Sequence, residues 1–278
     1  MGKTLVFGAT GNVGRPLVRG LVAQGFDVRA ASRGGAVVDG AEGIAFEFGK
    51  PAMLDGVFDD VTQAYVLLPS GYVNVKELLS PIIETAIERK VKVVFQSVFG
   101  VDADDSIPYR QVEIALENAA IPYVILRPNW FSDNFHTFWK PGIDHGRIAL
   151  PAGEGKSSFI DARDVAASAV AVLSSTQFDG RAFNLTGPDA LSYAQAASII
   201  ANVVGRPVEY EAITDDAFVG ILTGAGVPGD YAHFLASIFY PVREGWTAAV
   251  TGDVETLTGR APRSVEEYVS DNAALLKA

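Results

Sequence analysis

Three glycines, Gly8, Gly11 and Gly14, stand three residues apart, directly after the apolar run Thr4 to Phe7 and directly before a helical pattern that opens at Val13. A loop without side chains lets the main chain approach a pyrophosphate closely, and the positive end of the following helix attracts its charge. Gly8 then serves the tight turn, Gly11 the close approach and Gly14 the contact of helix with strand, while Thr10 and Asn12 add hydrogen bonds. The spacing alone is weak, because glycine also marks ordinary turns. Its place between a strand and a helix makes it a dinucleotide site. An NAD site carries a carboxylate at the end of the second strand for the ribose 2′-hydroxyl, whereas this chain reads Ala31-Ser32-Arg33. A guanidinium and a hydroxyl suit a 2′-phosphate by charge and by forked geometry, so NADP(H) is the preferred cofactor and NAD(H) the alternative.

The elements that must hold such a loop are legible around it. "TLVFGA", "FDVRAAS", "GIAFEF", "QAYVLLP", "VKVVFQSV" and "PYVILRP" are short apolar runs, most of them apolar on both faces, and longer helical patterns separate them. Val13 to Gln24 places Leu17, Val18, Leu21 and Val22 on one helical face; Leu78 to Arg89 does the same with Leu79, Ile82, Ile83, Ala86 and Ile87. This alternation predicts an α/β fold, a doubly wound Rossmann-type parallel sheet, with ligands at the carboxyl ends of its strands. After Pro128 the segment "NWFSDNFHTFWKPG" has no clean period and reads as a loop or interrupted helix. Further on, Ser192 with Gln195 and Ser264 with Glu267 form capping boxes, and the first of these helices stops at Gly205. The expected organisation is a nucleotide-binding core over 1–135 to which 157–187 returns, with 136–156 and 188–278 forming a smaller, mainly helical substrate lobe.

Composition narrows the classes of partner. With 22 basic against 33 acidic residues, a net charge of −11, the 278-residue surface repels nucleic acid. The absence of cysteine excludes disulfides, thiol nucleophiles and thiolate metal sites. His136, His145 and His233 show no metal spacing and read as surface or packing residues, so no metal is expected. No apolar run approaches the roughly 18 residues of a membrane span, and no charged-then-apolar leader opens the chain, so a cytoplasmic protein without membrane contact is the expectation.

Taken in order, "GATGNVGRP" (8–16), "FEFGKPAML" (46–54), "VVFQSVFG" (93–100), "PYRQVE" (108–113), "YVILRPNWFSDNF" (123–135), "LPAGEGKSSFIDARDVA" (150–166), "LTGPDALSY" (185–193) and "LTGRAPRSVEE" (257–267) resemble the NmrA-like branch of the atypical short-chain dehydrogenases/reductases, nearly end to end. That group includes NAD(P)H-dependent quinone and dye reductases and also non-catalytic NADP sensors. The resemblance implies a cofactor site of Gly8, Thr10, Gly11, Asn12, Val13, Gly14, Ser32 and Arg33. Phe48 lies near the adenine, and Leu68, Pro69, Ser97, Val98, Phe99 and Pro128 line the strand ends. Asn129 and Trp130 close over the nicotinamide end, followed by Phe131, Asn134 and Phe135 in a substrate loop; Tyr72 and Trp246 supply further aromatic surface for a flat substrate. It permits a monomer or a homodimer.

One departure bears on mechanism. Catalytic members of the wider superfamily pair a tyrosine with a lysine four residues on, yet here Tyr109 is followed by Glu113. A neighbouring carboxylate opposes ionisation of a phenol, which makes Tyr109 a poor lysine-assisted acid. Ser97 is the other candidate catalytic group, equally suited to holding cofactor. Asp161 and Asp164 read as the start of a helix. The resulting expectation is an NADPH-dependent reductase of a quinone-like or conjugated aromatic small molecule, for which stacking and orientation matter more than a strong acid. The alternative is a non-catalytic sensor of NADP(H).

Overall fold

The computed structural model describes residues 2–277, which divide into two compact units. The first comprises the chain through Pro128 together with Ala162–Leu185 and Asp253–Arg260; the second comprises Asn129–Asp161, Thr186–Gly252 and the chain from Ala261 onward.

The first unit is built on seven strands: β1 (Lys3–Phe7), β2 (Val28–Ser32), β3 (Glu42–Ala45), β4 (Val61–Val66), β5 (Lys92–Gln96), β6 (Tyr123–Pro128) and β7 (Arg181–Leu185). They are hydrogen-bonded in the order β3-β2-β1-β4-β5-β6-β7, and every neighbouring pair is parallel. The order reverses between β1 and β4, the switch point at which open α/β sheets bind ligands. Strand β3 is shorter than the run "GIAFEF" suggested: the Phe46 amide still bonds the Ser32 carbonyl, but Phe46 turns into the core and the chain leaves the sheet. Strand β7, short and preceded by the left-handed Gly180, was not singled out by pattern.

Helices α1 (Gly14–Ala23), α2 (Val75–Glu88), α3 (Pro108–Glu117) and α4 (Ala162–Leu173) belong to this unit. Helix α1 buries Leu17, Val18 and Leu21, one stripe of a 3.6-residue period. It comes so close to α4 that a methyl on Gly20 would stand 2.8 Å from the Val170 Cγ2. Helix α2 buries Leu78, Leu79, Ile82, Ile83 and Ala86. Lys92, a cation inside the apolar run of β5, has its ammonium against the Asp179 carboxylate (2.6 Å) and the carbonyls of Val172 and Ser175 (2.8 and 2.7 Å), at the negative end of α4.

The second unit has its own core, which includes Phe135, Phe159, Tyr193, Phe239 and Val269. Residues Arg147–Leu150 pair in parallel with Glu209–Ala212, and Lys156–Ser157 pair antiparallel with Leu191–Ser192. The rest is mainly helical. Both capping boxes form: Gln195 N donates to Ser192 Oγ at 3.2 Å and Glu267 N to Ser264 Oγ at 3.1 Å, with the glutamine and glutamate side chains accepting from the serine amides. They open α5 (Tyr193–Val204), which ends at the left-handed Gly205, and α6 (Val265–Asp271). The aperiodic aromatic segment is an interrupted helix, 3-10 over Ser132–Phe135 and α over Lys140–Asp144. Among the described residues no helix is long and apolar enough to cross a membrane.

Candidate functional site: a dinucleotide cradle and its flanking residues

The β1–α1 loop has the form that a pyrophosphate requires. Gly8 sits at φ +64°, a conformation that costs glycine least, and its carbonyl accepts from the Gly11 amide at 2.9 Å. Gly14 is pressed onto the start of the loop: a Cβ there would stand 2.8 Å from the Ala9 Cα and closer still to the Gly8 carbonyl oxygen. Thr10, Gly11 and Asn12 are exposed, whereas Val13 is buried and turns the chain into α1. The amides of Asn12 and Val13 find no acceptor among the described residues, so two donors point from the positive end of a ten-residue helix with nothing to bond. Strand pairing brings the end of β2 alongside, because the Ala9 amide bonds the Ala31 carbonyl at 3.2 Å. There Ser32 is buried and its hydroxyl accepts from the Ala36 amide at 3.2 Å, which makes the turn that follows; Arg33 is exposed, and its guanidinium has no partner among the described residues.

The other strand ends present mixed surface. Leu67 packs against Gly8; Leu68 is buried and Pro69 half-buried beside it. Phe48 continues an aromatic row from Phe7 through Phe46 to Tyr72, with ring centroids 4.8, 5.1 and 6.1 Å apart in turn. Beyond β5 the amides of Ser97 and Phe99 bond the carbonyls of Leu126 and Pro128, while Val98 is 41 % exposed. Ser97 is buried, yet its hydroxyl has no hydrogen-bond partner among the described residues. Such orphans are rare in folded proteins, and this one stands at the carboxyl end of a central parallel strand.

Tyr109 and Glu113 do different things. Tyr109 is half-buried on α3 and stacks on Phe95 at 6.3 Å. Glu113 is fully buried and accepts two parallel hydrogen bonds from Arg127 of β6, Nε to Oε1 at 2.9 Å and Nη2 to Oε2 at 2.7 Å; Arg110 adds a third at 3.0 Å, and Arg127 also reaches Asp102 at 2.5 Å. Four residues after Tyr109 the chain thus has a buried strut between helix and strand. Arg127 escaped the sequence reading, although its signal was present: an arginine inside the otherwise apolar run "YVILRP" must find a carboxylate.

In the second unit the expected substrate residues separate into two groups. Phe135 is completely buried in that unit's core, and Asn129 is buried with its amide fully engaged. The Asn129 Nδ2 donates to Ser158 Oγ and to the Thr247 carbonyl, both at 2.8 Å, and its Oδ1 accepts from the Trp130 amide. In this structure these two side chains pack and tie the chain. Asn129→Ala should cost about 1 to 3 kcal/mol, read from the urea midpoint, because it leaves buried partners unsatisfied. Trp130 is half-buried against Phe239 (4.8 Å) and Trp139 (5.9 Å); Phe131 and Asn134 are likewise half-buried. Trp246 is 57 % exposed, edge-to-face with Tyr240 at 5.6 Å, on a segment anchored by the hydrogen bonds of Thr247 to Lys156 and Asn129. Of the histidines, only His136 is knit inward: it bonds the Tyr268 hydroxyl, and burial lowers its pKa against the opposing pull of Asp161. Asp161 and Asp164 are both buried, Asp161 immediately before α4 and Asp164 in its first turn.

The chain belongs to the NmrA-like family, whose model matches residues 1–269. It is 32 % identical to the uncharacterized oxidoreductase YesF of Bacillus subtilis, over 97 % of this chain and 95 % of that protein. It is 28 % identical to an NAD(P)H azoreductase of Xenophilus azovorans, over 97 % and 98 %. Its fold matches that of an NADPH-dependent quinone oxidoreductase of Escherichia coli solved with NADPH, with a TM-score of 0.85, 22 % identity and coverage of 96 % of this chain and 99 % of that one.

Proposed function

We propose that this protein is an NADPH-dependent oxidoreductase that reduces a quinone-like or other conjugated aromatic acceptor. The observation that carries the reading is the cradle at Gly8–Gly14: a left-handed glycine, a glycine on which no Cβ fits, and two amides without acceptors at a helix start. Those groups would hold the pyrophosphate, and Arg33 with Ser32 would receive the 2′-phosphate, which favours NADPH over NADH. When bound, NADPH supplies a hydride. Phe48 and Tyr72 offer aromatic surface at the strand ends, and the Ser97 hydroxyl is a donor for a polar atom of the bound ligand.

Glu113 decides which acceptors fit. Its carboxylate is committed to Arg127 and Arg110, so the position four residues after Tyr109 carries a structural anion and not the lysine that assists a phenolic acid in ketone reduction. A quinone or an azo dye needs less help: it accepts hydride readily, and its reduced oxygen or nitrogen can take its proton from water. The names of the azoreductase and quinone reductase relatives agree with that choice.

The test follows the loss of NADPH absorbance with a panel of quinones, azo dyes, triphenylmethane dyes and simple ketones. Turnover is expected with quinones and dyes and not with ketones. Tight NADP binding without turnover across the panel would overturn the reading and leave a sensor of the NADP(H) pool in its place.

A further inference from the structure

We infer that Arg15, on the first turn of α1, is the second arm of a two-guanidinium clamp for the 2′-phosphate, opposite Arg33. The inference rests on the dinucleotide reading above and adds a residue that neither the glycine spacing nor the end of β2 identifies. A cation in the first turn of a helix opposes the helix dipole, and α1 has no acidic residue in that turn to offset it. Acidic residues outnumber basic ones by 33 to 22, and Arg19, Arg89, Arg147 and Arg243 each hold a carboxylate. Arg15 is exposed, and neither it nor Arg33 has an ion pair, side-chain hydrogen bond or ring contact among the described residues.

The placement of Arg15 follows from its neighbour one turn on. Residues four apart share a helix face, so Arg15 and Arg19 point the same way. Arg19 reaches Asp39 at 3.4 Å, in the loop that begins at Arg33, so this face of α1 looks onto that loop. Helical side chains lean toward the N-terminus, which carries Arg15 toward the loop's beginning rather than its end. That beginning is drawn tight by the bonds of the Gly35 and Ala36 amides to Ser32, and it lies against the glycine loop through Ala9 and Ala31. Two unpaired guanidiniums thus flank one short turn beside the cradle. Like charges so placed repel unless a doubly charged anion lies between them, and a phosphate monoester on the ribose is such an anion.

The test measures binding of fragments to the whole protein by calorimetry, with no turnover involved. Adenosine 2′,5′-bisphosphate and adenosine 5′-monophosphate differ only in the 2′-phosphate. Arg15→Gln and Arg33→Gln should each weaken the bisphosphate by about tenfold and leave the monophosphate unchanged, since each removes one charge-assisted pair. The double variant should bind both fragments alike, and added salt should erode the wild-type preference. An unchanged bisphosphate affinity in Arg15→Gln would overturn the clamp, as would equal losses for both fragments, which would move Arg15 to another phosphate. If the wild-type protein bound neither fragment, the dinucleotide reading itself would fall.

Discussion

Glu113→Lys, which recreates the superfamily's tyrosine–lysine spacing after Tyr109, should unfold the protein rather than improve its chemistry. The carboxylate it removes is fully buried and bonds Arg127 twice and Arg110 once. The lysine would bring three cations together at a buried position, with Arg127 left to the half-exposed Asp102 and Arg110 to Asp105 and Glu117 at the helix surface. Glu113→Ala isolates the same charge without adding one, and breaking a buried pair from one side costs about 3 to 5 kcal/mol. For a chain of this size that corresponds to a fall in melting temperature of roughly 10 °C, read by calorimetry, and a lower guanidinium midpoint. Glu113→Gln keeps the shape and two acceptor lone pairs and should lose less. Replacing both partners, Glu113→Leu with Arg127→Met, removes the desolvated charges together and should be milder than Glu113→Ala alone. A folded Glu113→Lys protein with wild-type stability would show that the strut contributes nothing.

The same pair marks the boundary of what local sequence can reveal. The glycine loop, the helix faces and both capping boxes were legible because each is a pattern within a few residues, fixed by backbone geometry that repeats at known periods. Glu113 and Arg127 lie 14 residues apart in different elements, and only the register of α3 against β6 brings them together. The burial of Asn129 and Phe135 was illegible for a related reason. Polar and aromatic residues after a parallel strand are as suitable for a ligand as for a core, and what decides between them is a partner such as Thr247, 118 residues away along the chain. Arg15 was overlooked because a lone arginine on a helix reads as a solvated charge; its meaning comes from the carboxylate that Arg19 holds and Arg15 lacks.

Gly14→Ala and Gly11→Ala should separate the two demands that the glycine loop meets. Gly14 has ordinary helical backbone, and in an open helix the change to alanine would be favourable by about 1 kcal/mol. Here the new methyl meets main chain, the Gly8 carbonyl and the Ala9 Cα, and main chain bonded into β1 and β2 has little room to yield. Overpacking of this kind costs about 3 kcal/mol, and because the displaced atoms are the cradle itself, NADPH affinity should fall roughly a hundredfold alongside the melting temperature. At Gly11 the added methyl meets only the Gly8 carbonyl, at 3.3 Å, and otherwise projects into open space where the pyrophosphate would lie. The free protein should then melt within a degree or two of wild type while NADPH binding weakens by about tenfold or more, a loss of affinity without a loss of fold. Equal melting and equal NADPH affinity for Gly14→Ala and wild type would refute the assignment of this loop to the pyrophosphate.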